Sequence, residues 1–93
     1  MMEALTIPKE TVGLLRFPAY EVLPGDAARA QRLQNLQKAL ALGNLEKQKV
    51  VLFFDTVDGL RTVEATIWAV LDDYVLLKGG NVIPIRVIRD VHF

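Results

Sequence analysis

Residues 49–93 read KVVLFFDTVDGLRTVEATIWAVLDDYVLLKGGNVIPIRVIRDVHF. This stretch decides the fold, because apolar runs alternate with turn residues at nearly regular spacing, the pattern of short antiparallel strands. Val50–Phe54 is apolar at every position and reads as a first strand with both faces covered. Val57-Asp58-Gly59 is a hairpin, since Asp-Gly accepts the positive φ of a tight turn. Leu60–Leu71 follows as one long strand. Val63, Ala65, Ile67, Ala69 and Leu71 share one face, and Thr62, Glu64, Thr66, Trp68 and Val70 the other. A strand of that length in so short a chain has to bend strongly and serve both halves of a barrel. Asp72-Asp73 turns the chain into a third strand, Tyr74–Lys78, and Gly79-Gly80-Asn81 makes the next hairpin. Val82–Ile85 is the fourth strand, with Pro84 marking an edge or bulge because it has no N–H to donate. Arg86–Asp90 reads as a tight turn and Val91–Phe93 as a short closing strand.

Upstream of the strands lies a helix, predicted over 26–42. Leu23-Pro24-Gly25-Asp26 forms a turn that ends in an N-cap residue, Asp26. Ala27–Leu42 contains no breaker and is rich in Ala, Leu, Gln and Arg, all good helix formers. Ala30, Leu33, Leu36 and Leu40 make one apolar stripe, with the polar side chains largely off it. Gly43-Asn44 supplies a left-handed stop. Before the helix, Pro8, Pro18 and Pro24 break up residues 1–24, yet the segment is too apolar for a disordered tail. It is expected to lie as an extended arm, with a short strand near Leu14–Phe17.

The 93 residues form a single domain with room for one core. The fold class is α+β, mainly β: an amphipathic helix followed by a small, strongly bent antiparallel barrel of four to five strands. With 52% hydrophobic residues, the chain carries more apolar surface than a small monomer needs, which points to self-association. Eleven basic and eleven acidic residues cancel, so the excess of cations that non-specific phosphate binding relies on is missing. There is no cysteine, hence no disulfide or thiolate site, in keeping with a reducing compartment. No signal-peptide pattern or membrane-length apolar run is visible, and a cytoplasmic protein is the expectation.

The element order resembles the Sm-like small barrel, a variant of the Src-homology-3-like barrel, over Asp26–Phe93. The ending Val82-Ile83-Pro84-Ile85-Arg86-Val87-Ile88-Arg89-Asp90-Val91 looks most like that family's second motif, an apolar strand with Ile-Arg leading through a tight turn into the last strand. Val87 stands where the family has Gly, and Glu64-Ala65 where it has a mid-strand Gly. Asp72-Asp73-Tyr74-Val75 replaces the family's Asp-x-x-Asn RNA loop without its Asn. The resemblance implies a topology, and RNA or single-stranded DNA as a partner class.

The chemistry-bearing residues are few. His92 is the only histidine and stands beside the last residue, a poor place for a catalytic base. Asp72 and Asp73 are adjacent, so they point to opposite sides of an extended chain rather than into one metal site. Gly79-Gly80-Asn81 lacks the Gly-x-x-x-x-Gly-Lys pattern of a phosphate cradle. Trp68 stands out, because an indole on the more polar face of its strand is either tucked beneath the chain's own arm or offered to a partner. Arg61, Lys78, Arg86 and Arg89 beside Tyr74 or Trp68 would make the cation-plus-aromatic combination that single strands favour, although Asp55, Asp72, Asp73 and Asp90 share the segment. The expected binding residues are therefore Trp68, Tyr74, Arg61, Arg86 and Arg89. No enzyme, cofactor or metal is expected. The leading expectation is a non-enzymatic assembly module, pairing with another copy or another protein through strand edges near the C-terminus, with nucleic-acid binding as the alternative.

Overall fold

A computed structural model describes residues 4–93. Among these residues seven strands form two sheets that share one core with a single α-helix. In chain order they are β1 (Leu5–Thr6), α1 (Asp26–Glu46), β2 (Val50–Thr56), β3 (Gly59–Ala65), β4 (Ile67–Val70), β5 (Tyr74–Leu77), β6 (Val82–Pro84) and β7 (Ile88–His92). The first sheet has the order β1-β3-β2-β7 and the second β4-β5-β6. The α+β class is thus as expected, while among the described residues no ladder joins the two sheets into a closed barrel.

The long bent strand is real but broken. Its two halves are β3 and β4, parted at Thr66, and each half belongs to a different sheet. Thr66 is buried at the break, and its carbonyl accepts from the Lys78 backbone N–H at 2.8 Å. The first hairpin joins β2 to β3 in register, with Leu52 opposite Val63 and Thr56 opposite Gly59. Gly59 takes φ 125°, which a side chain would strain. In β2, Val50, Leu52 and Phe54 are buried, while Val51 and Phe53 on the other face are only half-buried. One face of β2 is therefore core, and the other is only partly covered.

Side chains from both sheets and the helix meet in one contiguous core, with Phe54, Leu52, Ile67, Leu77, Ile83, Ile88 and Leu36 fully enclosed. The Cα radius of gyration, 12.1 Å, matches the roughly 12 Å expected of a folded chain of this length.

Several boundaries move. The helix runs to Glu46, passing through Gly43 and Asn44, and its left-handed cap is Lys47 at φ 54°. Gly43 has another reason to be glycine: a Cβ there would come within 2.6 Å of the Ile67 carbonyl oxygen. At the other end Gly25 occupies the N-cap position, and Asp26 lies in the first turn without a side-chain capping bond. The buried face of the helix is Arg32, Leu36, Ala39 and Gly43, whereas Leu33 is 49% exposed. The stripe thus turns toward a buried arginine.

The arm contains no strand at Leu14–Phe17. Instead β1 adds to β3 in parallel, Lys9–Leu14 forms a 3-10 helix, and the chain then runs irregularly to the helix. Of the arm expected over 1–24, residues 1–3 lie outside the described residues. The rest is tied to its own domain: Ile7 N–H donates to Thr62 O, Val22 N–H to Arg86 O, and Asn81 Nδ2 to Lys9 O at 2.8–2.9 Å. At the C-terminal end, Ile85–Val87 is the 3-10 turn, and the closing strand is longer and earlier than expected, Ile88–His92.

Candidate binding surface

The five residues singled out from the sequence do not gather at one place. Arg61 is half-buried near the start of β3, its guanidinium donating to the carbonyls of Leu60 at 3.0 Å and Asp58 at 3.4 Å. Arg89 is engaged by Asp55 of the neighbouring strand β2, with contacts of 2.6 and 2.9 Å. That carboxylate raises the Arg89 pKa above its ordinary value and locks in the charge. Arg86 Nε donates to Pro18 O at 2.8 Å and so holds down the arm. Tyr74 is 40% exposed and Trp68 50%. No depression described on the surface brings two of the five together.

Trp68 is left half exposed, for a reason lying in the strand pairing. Ile67 stands opposite Leu77 and Ala69 opposite Leu76, so Trp68 is the extra residue of a β-bulge. Bulges re-aim the side chain they carry. The bulge also swaps the faces beyond it. Val70 pairs with buried Val75 and packs on the core, while Ala69 pairs with half-buried Leu76 on the outside.

The outer face of β4-β5-β6 is consequently apolar and open. Ala69, Leu76 and Val82 form one row across it and Tyr74 and Pro84 another, with Val82 42% exposed. The two ends of this face differ in charge. The β4–β5 turn carries Asp72 and Asp73, and Lys78 stands at the β5–β6 turn. Among the described residues none of these three makes an ion pair within 4 Å.

Beside Trp68 a depression of about 330 Å³ is lined by Gly43, Asn44, Lys47, Thr66 and Lys78. It joins the end of the helix to the kink of the long strand. Sequence reasoning missed Lys47 and Asn44, because they reach the site only when the helix overruns Gly43.

Two further depressions, each about 380 Å³, flank Arg32 between the helix, the Asp72-Asp73 turn and Ile85. The Arg32 side chain is 6% exposed and grips Glu21 with both terminal nitrogens, Nη1 to Oε2 at 2.8 Å, while Nη1 also donates to Ile88 O at 3.0 Å. The Arg32 hydrogen bonds hold the Glu21 carboxyl below its usual range, with the Leu23 N–H contributing to the same effect. This pair fastens the arm to the helix and strand β7.

His92 lies exposed, 2.8 Å from Asp90 and with its ring 4.5 Å from that of Phe53, and it lines none of these depressions. Among the described residues no group of three His, Cys, Asp or Glu is placed to hold a metal ion, and no helix is long and apolar enough to cross a membrane. No family model, no curated protein and no solved structure matches the chain.

Proposed function

We propose that the protein is a non-enzymatic interaction module that pairs with a second copy of itself through the outer face of β4-β5-β6. The observation that carries this reading is the apolar face between ends of opposite charge. A two-fold axis through its middle lays Lys78 of each copy against Asp72 and Asp73 of the other, which makes the face self-complementary. The free strand edges are a poorer route. The 3-10 segment Lys9–Leu14 packs on β6, and α1 on β4 and β7, so these outer strands already have neighbours from their own chain.

The size of the face sets the strength. Three strands about 4.8 Å apart and three or four residues long present on the order of 200 Å², well short of the roughly 800 Å² per partner of a stable complex. The pairing is therefore reversible and concentration-dependent. As a further part of this reading, the two sheets are the halves of an opened Sm-like barrel. Its support is the order β2-β3-kink-β4-β5-β6-turn-β7, with β7 returning to pair with β2.

Light scattering over a wide concentration range tests the pairing. The mean mass should rise from monomer toward dimer, and Val82→Glu, which places a charge on the apolar face, should hold it at monomer. A constant monomer mass for the unaltered chain at all concentrations overturns the reading.

A further inference from the structure

We propose that the depression beside Trp68 is a binding site for a nucleotide unit, a planar base carrying a phosphate. Trp68 supplies a stacking face, and Lys47 and Lys78 supply the charge. The site shares Lys78 with the pairing proposed above, so it is tested on the monomer, where that lysine is not engaged by a second copy.

The depressions around Arg32 include Glu21 or Asp72, and the one near Arg61 includes Asp58, whereas the lining beside Trp68 contains two lysines and no carboxylate. Among the described residues neither lysine has an ion-pair partner within 4 Å. The indole is likewise free. The close aromatic pairs are Phe17–Phe54 and Phe53–His92, and the cation–π contact is Lys38 over Phe93. A half-exposed ring lining one depression with two lysines that have no ion-pair partner is the arrangement that holds a base and its phosphate together. The Asn44 amide, with both a donor and an acceptor, is available to a base edge.

Size and field favour a single unit. About 330 Å³ lies at the lower end of the roughly 300–1,000 Å³ of small-ligand sites. The helix ends here with its negative pole, equivalent to about half a charge. That pole is already partly met, because the N–H groups of Lys47 and Gln48 donate to Gly43 O and Leu42 O at 3.1 and 3.3 Å. Two full positive charges outweigh what remains. An inorganic anion would leave the indole unused, and a neutral ring would leave the lysines unused.

Trp68 is the only tryptophan, so its fluorescence reports on the site directly. The test titrates the full chain, diluted until its scattering mass is that of the monomer, with adenosine monophosphate, a short oligothymidylate, adenosine and inorganic phosphate at fixed ionic strength. The nucleotide or the oligothymidylate should quench the emission saturably, and adenosine and phosphate should not at the same concentrations. Tighter binding of the oligothymidylate identifies a single strand as the source, and equal or tighter binding of the mononucleotide identifies the free ligand. Lys47→Gln combined with Lys78→Gln should weaken binding about tenfold or more while leaving the unquenched spectrum and thermal unfolding unchanged. Absence of quenching by both phosphorylated probes overturns the proposal. So does quenching that the double variant leaves intact, or that adenosine alone reproduces.

Discussion

At the scale of single residues, the ion pair of Arg32 with Glu21 has the largest consequence for stability. An arginine on the inner face of a helix is tolerated only when its charge is met, and Glu21 and the Ile88 carbonyl meet it. Removing the carboxylate leaves a buried guanidinium uncompensated, so Glu21→Ala should cost about 3 kcal/mol in urea unfolding at neutral pH. The pH dependence follows from the sign of the shift. The folded-state pKa of Glu21 lies below its usual 4.5, so the stabilisation is fully present above that value. It is lost as pH falls through the folded-state pKa. Unfolding midpoints measured from neutral pH down into the acid range should therefore fall less for Glu21→Gln than for the unaltered chain. An equal fall would mean that the pair contributes nothing to acid sensitivity. The sequence pattern conceals this pair, because a charged residue in an amphipathic helix reads as solvent-facing unless its partner, eleven positions away in an irregular segment, is already known.

At the scale of elements, the contact of the helix end with the kinked strand governs the layout. Gly43 lets the backbone of α1 approach the Ile67 carbonyl, where no side chain fits. Gly43→Ala should therefore destabilise by about 1–2 kcal/mol despite alanine's better helix propensity, because overpacking against rigid backbone outweighs a gain of about 1 kcal/mol. Thermal unfolding should show it as a fall of roughly 4–8 °C per kcal/mol. An unchanged or higher midpoint would mean that the helix end shifts freely. The strands themselves were legible, since Asp58-Gly59, Asp72-Asp73 and Gly79-Gly80 mark turns by local chemistry and the apolar runs lie between them. The helix end was not, because Gly43 has the composition of a stop and the role of a close contact. Nor was the bulge at Trp68, which exists only in the register between β4 and β5 and leaves no mark on β4 alone. Strand parity therefore assigned the wrong faces beyond Ile67, and with them the exposed surface.

At the scale of the whole molecule, a balanced net charge hides an uneven distribution. The sheet face runs from the carboxylates of the β4–β5 turn to the ammonium group of Lys78, and this polarity is what a second copy would match. Asp73→Lys alone and Lys78→Glu alone should each raise the concentration needed for pairing, and the two together should restore it, with the pairing weakened by salt. Sedimentation at several ionic strengths measures this directly. If the double variant is as weak as the worse single one, the two ends do not meet.

The parallel pairing of β1 with β3 has a consequence for the order in which the fold assembles. Thr6 and Thr62 share a 2.9 Å hydroxyl contact although they stand 56 positions apart, whereas the hairpins β2-β3, β4-β5 and β5-β6 join neighbours in the chain. Closing a long loop costs more entropy than closing a short one, and a two-residue strand returns little for it. The hairpins should therefore form first, and the leading segment should dock last onto a sheet already made. Its amide protons should then exchange by local opening rather than by global unfolding. In native-state hydrogen exchange the Ile7 N–H, bonded to Thr62 O, should exchange well before that of Leu52 in the central strand. The molecule is thereby divided into a late-closing clasp and the body it closes upon.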